Sequence, residues 1–173
     1  MRDPRDRRGA RALAYRALAR RARSEAWLRD RLCRAGYDAT TADAVLTGLA
    51  AAGYVDDRAF ARDWARACME RKGLGRQGLR LELARQGVSR EIIDETLVAL
   101  YRDVDDRDLA ARLAARWLRP SLSTPRPAGE RGRVRGLESQ KLRRRVRDRL
   151  LRRGFSFEVV GSVIASVLSH EDL

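Results

Sequence analysis

The chain has 173 residues, 44% apolar and 36% charged, which is too apolar for a disordered polymer and too charged for one large buried interior. Lysine and arginine total 38 against 24 acidic residues, a formal charge of +14, which favours polyanions without distinguishing DNA, RNA, a membrane surface or an acidic protein. Cys33 and Cys68 lack metal-ligand spacing, and no apolar run reaches the roughly 18 residues a bilayer span needs, so a cytoplasmic protein without a disulfide framework is expected.

In chain order, residues 1–10 read as a flexible basic arm. A first unit follows over 11–52, with an amphipathic segment from Leu13 to Leu18, then Leu28, Leu32, Gly36 and Tyr37, then Ala42, Leu46 and Leu49. The second unit, 53–103, repeats the pattern with Phe60 and Trp64, then Leu79, Leu83, Gly87 and Val88, then Ile93, Leu97 and Leu100. The third, 104–171, has Leu109, Leu113 and Trp117, then Val146, Leu150, Gly154 and Phe155, then Val160, Ile164 and Val167. It carries an inserted Pro/Gly-rich loop over 120–136, from Pro120 to Gly136.

In each copy the leading apolar pair, four residues apart, stacks on one helix face, and the trailing set marks a second amphipathic helix. Gly36, Gly87 and Gly154 fall just past the first helix of each pair, where a left-handed C′ residue ends a helix. Asp38, Ser89 and Ser156 are placed to cap the next one. The joins between units echo each other, Val55-Asp56-Asp57-Arg58 against Val104-Asp105-Asp106-Arg107, so Asp56, Asp57, Asp105 and Asp106 are expected as helix caps. The expected fold is all-α: three tandem three-helix repeats, helix-turn-helix-like, elongated or curved.

No catalytic or metal site is expected. The adjacent aspartates diverge on a helix, and His170, the single histidine, stands near the end of the chain. Lys72-Gly73-Leu74-Gly75-Arg76 lacks the spacing and the terminal Lys-Ser/Thr of a nucleotide loop, so no cofactor or small-molecule substrate is implied. A basic stripe does stand out: Arg71, Lys72, Arg76, Arg80 and Arg85, with only Glu82 opposing them locally, suit phosphates or acidic side chains. The densest basic run is Arg131 to Arg153, where Arg131, Arg133, Arg135, Lys141, Arg144, Arg145 and Arg152 are candidates for contact with nucleic acid or an acidic surface. A membrane role is not expected, because no broad apolar face accompanies that helix. Trp64, Trp117, Phe60 and Tyr54 follow the apolar periodicity, which favours core packing over base stacking.

Gly53-Tyr54-Val55-Asp56-Asp57, Phe60-Ala61 and Trp64, then Lys72-Gly73-Leu74-Gly75-Arg76, Leu79-Arg80, Glu82-Leu83 and Gly87-Val88, resemble the signature of the RecX family of bacterial recombination regulators. Arg23-Ser24-Glu25 with Gly36-Tyr37 resembles the family's first unit, and Arg152-Arg153-Gly154-Phe155-Ser156-Phe157 its last. Gly78 departs from the pattern, which commonly has a basic residue there. The resemblance implies a non-enzymatic, DNA-binding helical-repeat protein of recombination, repair and the SOS response. It implies binding to the RecA recombinase and its filament on single-stranded DNA, and inhibition of filament extension, ATP hydrolysis and strand exchange. The +14 charge keeps a stand-alone nucleic-acid-binding module, on single- or double-stranded DNA, as the alternative.

Overall fold

Each glycine turn foreseen from the repeat is a helix end in the structure, a computed structural model that describes the backbone of residues 3–122 and 133–169 and the side chains of 3–118 and 140–166. Among the described residues there are nine helices and no strand. They are α1 (Arg7–Leu18), α2 (Glu25–Arg34), α3 (Ala39–Ala51), α4 (Asp57–Lys72), α5 (Arg76–Arg85), α6 (Arg90–Leu100), α7 (Asp106–Leu122), α8 (Arg133–Arg152) and α9 (Phe157–Ser169). The chain divides into two compact units, Met1–Arg66 with Arg80–Val98, and Ala67–Leu79 with Ala99–Leu173. The division runs through α4, α5 and α6, so the middle repeat contributes to both units.

The helix pairs turn at Gly36, Gly87 and Gly154, with φ of +93°, +79° and +78°. At each, the glycine N–H donates three residues back, and the next residue's N–H donates five back, as in Tyr37 to Leu32, Val88 to Leu83 and Phe155 to Leu150. This is the Schellman arrangement, and its accompanying apolar contact is present, since Tyr37, Val88 and Phe155 are all buried. Asp38 then accepts from the Thr41 N–H, Ser89 from Ile92 and Ser156 from Val159, which starts the following helix.

Helices α1, α2 and α3 pack on one another, as do α7, α8 and α9. The leading pairs Leu28/Leu32, Leu79/Leu83 and Val146/Leu150 are buried. The first helix of each repeat buries an alanine pair one turn apart: Ala10/Ala14, Ala61/Ala65 and Ala110/Ala114. With methyl side chains at those points, the first helices α1 and α7 can lie close against their neighbours.

The ends of two predicted segments are corrected. Helix α1 starts at Arg7, inside the stretch read as an arm, because Asp6 accepts from the Gly9 N–H and Ala10 is buried. Helices α7 and α8 extend into the segment read as a loop from both sides, through Pro120 to Leu122 and from Arg133 across Gly136. An interior proline costs about 3 kcal/mol through its clash with the preceding turn and an interior glycine about 1 kcal/mol, and α7 and α8 carry both here. The rest of the expected loop, 123–132, lies outside the described residues.

The join aspartates divide their work. Asp56 accepts from Ala59 and so starts α4, while Asp105 accepts from Arg107 at the start of α7. Asp57 and Asp106 reach back to the second helix of the preceding repeat. Asp57 accepts from the Glu25 N–H at 2.8 Å, the first residue of α2, and Asp106 accepts from the Arg76 N–H at 3.3 Å, the first residue of α5. The glycine turn of the following repeat joins them. Ser24, the N-cap of α2, donates to the Gln86 carbonyl. At α5, the Gly75 N–H donates to the Arg153 carbonyl at 2.9 Å and the Gln77 N–H to the Gly154 carbonyl at 3.1 Å.

This seating explains Gly78. A Cβ there would stand 2.2 Å from the Arg153 carbonyl oxygen, and a Cβ on Gly154 would stand 2.0 Å from the Gly78 nitrogen. A basic side chain at position 78 would push these backbones apart. Nothing lies within 4 Å of a Cβ built on Gly36, whereas one on Gly87 would meet Ala26 at 2.6 Å. Gly36→Ala is therefore expected to cost about 1 kcal/mol, the backbone penalty alone, and Gly87→Ala and Gly154→Ala clearly more. Urea unfolding of the three variants checks the ranking, and equal destabilisation by all three would contradict it.

The carboxylates also predict opposite acid responses. The Thr41 N–H, helped by Arg5 and Arg7, holds Asp38 below the ordinary carboxylate value, so Asp38 stabilises the fold above that value and the benefit is lost as pH falls through its folded pKa. Burial pushes Asp57 above it, with Asp56 adding repulsion and the Glu25 N–H opposing. The folded protein then takes up this proton before the unfolded chain does, so the Asp57 contribution improves as pH falls through its folded pKa toward 3.8. Between neutrality and about pH 4 the advantage of the parent over Asp57→Asn should grow, whereas its advantage over Asp38→Asn should hold there and shrink only as the pH falls below about 4, in urea midpoints. Asp57→Ala, which leaves the Glu25 N–H without its acceptor, should cost about 1 kcal/mol.

Candidate interaction surfaces

The basic stripe foreseen around the α4–α5 connection is divided between the two units. Arg71, Lys72 and Arg76 belong to the second, Arg80 and Arg85 to the first. In the first unit, Arg80 forms an ion pair with Asp94 of α6, and Arg90 approaches the same carboxylate at 3.8 Å. Asp94 lies 14 residues from Arg80, so counting charges near the stripe could not reveal this partner. Arg85 lies 3.9 Å from Glu82 with its side chain largely exposed.

In the second unit, Arg71 and Arg76 are exposed. The Arg76 guanidinium stands 5.4 Å from the centre of the Tyr101 ring, and its charge also acts on Asp106. Burial raises the Tyr101 hydroxyl well above its ordinary value, and the Asp106 charge adds to the effect. Asp106 is itself raised, mainly by burial. Arg76, Tyr101, Arg102, Asp103, Val104 and Asp105 line a shallow surface depression of about 510 Å³ that Asp106 and Asp108 complete. The depression carries both charges and offers no enclosed volume. The Lys72 carbonyl, at the end of α4, accepts from the Arg153 Nε at 2.9 Å.

The second candidate surface is the basic helix α8. Lys141, Arg144, Arg145 and Arg152 are exposed, with Arg144 4.0 Å from Asp148. Arg131 and the side chains of Arg133 and Arg135 lie outside the described residues. Sequence reasoning passed over the aromatic centre of this surface. Arg149 and Arg153, one turn apart on the last part of α8 and its turn, hold their guanidinium groups 4.3 and 4.9 Å from the centre of the Trp117 ring. Arg153 is pushed below the usual arginine value by burial first, then by the charges of Arg149, Arg116 and Arg152. Four arginines thus crowd one region of the second unit, and among the described residues none has a carboxylate within ion-pair distance. Like charges held this close favour a bound anion. Trp117 lies 32 or more positions from all but Arg116, which is why a linear reading missed the cluster.

Among the expected aromatic core residues, Phe60 is buried and stacks on Trp64 at 5.6 Å. Tyr54 is a correction: it is exposed, because Val55 takes the inward place after the turn at Gly53. Cys33 is exposed, Cys68 is buried, and both are free of disulfides. Among the described residues no three His, Cys, Asp or Glu side chains are grouped to hold a metal, and no helix is long and apolar enough to cross a membrane.

Known proteins share this arrangement. The model of the first three-helix domain of RecX matches residues 10–49, and that of the second matches residues 56–97. The chain is 34% identical over 165 residues to the regulatory protein RecX of Mycobacterium sp. (strain JLS), covering 94% of this chain and 83% of the relative. It is 33% identical over 162 residues to the regulatory protein RecX of Mycolicibacterium vanbaalenii, covering 94% and 84%. The crystal structure of RecX from Lactobacillus salivarius superposes with a TM-score of 0.73 over 94% of this chain and 96% of that one, at 17% identity, and so shares the fold. With the repeat turns, the join aspartates and this breadth of similarity in agreement, the chain belongs to the RecX family of regulatory proteins.

Proposed function

We propose that this protein is a cytoplasmic regulator that binds the RecA recombinase and its filament on single-stranded DNA, and inhibits filament extension, ATP hydrolysis and strand exchange. The observation that carries the reading is similarity to regulatory RecX proteins over 94% of the chain, through both matched three-helix domains. The physical means is a set of modest contacts spread over separate helical units, which raises the effective concentration of each contact once another has formed. A filament presents equivalent sites at a fixed repeat, so a body built from repeats can engage several at once. Inhibition then comes from occupying or distorting the places where protomers add, without any bond made or broken by the regulator.

The surfaces divide by charge availability. Arg71 and Arg76 are exposed members of the α4–α5 set with no carboxylate within ion-pair distance among the described residues, whereas Arg80 is committed to Asp94. Arg85 and Lys72 stand beside them in sequence. The α8 surface, with Lys141, Arg144, Arg145 and Arg152, suits a second acidic face or the DNA backbone.

Titration of the purified protein into recombinase-coated single-stranded DNA, reading ATP hydrolysis and filament length together, should show both falling. Arg71→Glu combined with Arg76→Gln should raise the concentration for half-inhibition about tenfold with helicity kept. Glutamine at 76 avoids placing a new carboxylate beside Asp106. Unchanged inhibition by the double variant removes this surface from the mechanism, and a parent protein that alters neither readout sinks the reading.

A further inference from the structure

Helix α1 and the chain just after it form the most one-sided charge distribution in the first unit. Arg7, Arg8, Arg11, Arg16, Arg20 and Arg21 occur there without an acidic residue between Asp6 and Glu25. On the other helices of this unit, arginines are repeatedly partnered: Arg29 with Glu25 and Asp43, Arg34 with Asp30, Arg58 with Glu95, Arg80 with Asp94. Among the described residues, no carboxylate lies within ion-pair distance of Arg8, Arg11, Arg16 or Arg20, and all four are exposed. A fold that pairs arginines of α2, α4 and α5 and leaves this face unneutralised among the described residues presents a site for an anion.

The same face carries aromatic rings. Arg8, Arg11 and Tyr15 are spaced three and four residues apart and so share one side of α1. Tyr15 meets Tyr54 edge-on, with ring centres 5.0 Å apart and planes at 84°, and the two residues are 38% and 57% exposed. An edge-on contact covers at most one face of one ring, and with both residues exposed, aromatic surface remains open to a third ring. The Arg11 guanidinium is 3.2 Å from a Cβ built on Gly48 of α3, the helix whose end leads to Tyr54. Arginine charge and open aromatic surface therefore adjoin on α1 and the end of α3.

We propose that this face, Arg8, Arg11 and Tyr15 of α1 with Tyr54, is a contact site for single-stranded nucleic acid, in which the arginines meet phosphates and the tyrosine pair stacks a base. Unneutralised arginine alone would serve an acidic polypeptide equally well. The exposed tyrosines favour nucleic acid, because every base offers a matching π-face, and favour a single strand, because duplex bases are already stacked. The contact is independent of sequence, since neither group reads base edges. It goes beyond the regulator reading and stands or falls without the recombinase.

The test is fluorescence anisotropy of the full chain with a labelled oligothymidine of about 15 nucleotides, a matched duplex and polyglutamate, across a salt series and without recombinase. Tyr15→Leu with Tyr54→Leu should weaken oligothymidine binding about tenfold or more, leave the salt slope unchanged and abolish the preference over duplex. Tyr15→Phe with Tyr54→Phe, which keeps the rings, should bind as the parent does. Arg8→Gln with Arg11→Gln should make the slope shallower by about 1.4, or about 0.7 for each single-strand phosphate that an arginine no longer neutralises. These arginines are exposed, so that variant reports even if the leucine variant fails to fold. Full oligothymidine affinity in a folded leucine variant, or an unchanged slope in the arginine variant, overturns the proposal. So does polyglutamate binding as tight as oligothymidine, which would assign the face to an acidic protein.

Discussion

The N–H groups at the start of α2 and α5, which have no partner inside their own helices, are the constraint around which the described fold is organised. A helix begins with backbone donors that have no partner inside it, and burying them unpaired would cost about as much as losing a hydrogen bond each. Here the following repeat provides the acceptors. Asp57 and Asp106 take the first N–H of α2 and α5, and the carbonyls of Gln86, Arg153 and Gly154 take the Ser24 hydroxyl and the flanking amides of α5. Adjacent repeats are thereby joined by directional bonds to main chain, which fix their register as side-chain packing between small helical units could not.

Two features that look like separate curiosities in the sequence follow from that junction. The paired aspartates at each join are needed because one carboxylate starts the new helix while the other reaches back to the old one. The glycine at 78 is needed because the Arg153 carbonyl comes so close that no side chain fits between. The departure from the family pattern at this position is thus a local steric requirement in this chain, and it removes one charge from the basic stripe as a consequence.

The turns were legible because they obey local rules. A Schellman end requires a left-handed residue and a following apolar one, and both are visible in three copies at constant offsets. Long-range facts were not legible. The alanine pairs of α1, α4 and α7 carry too little hydrophobicity to register against Leu13, Trp64 or Leu113, although they are among the most deeply buried points of those helices. Asp57 and Asp106 advertise a cap but not whose, since their acceptor role is set by a helix 30 or more residues earlier. Tyr54 follows a glycine as Tyr37 and Phe155 do, yet it points outward, because its turn ends a different helix and Val55 fills the inward place.

The same limit governs the charges. Read linearly, the chain's arginines look interchangeable, and the densest runs attract attention. Folding sorts them into distinct physical states. Some, such as Arg29, Arg58 and Arg80, are neutralised by carboxylates from neighbouring helices and serve the fold. Some, such as Arg149 and Arg153, are laid against an aromatic ring, which orients the guanidinium while leaving its charge uncompensated. Others, such as Arg8, Arg11 and Arg16 on α1, have neither kind of partner among the described residues. A net charge of +14 is therefore a poor guide to where a polyanion would sit. The informative quantity is the charge left over after the internal pairs are subtracted, and in the first unit that remainder concentrates on α1, the helix that anchors its core with alanines and keeps its arginines for solvent.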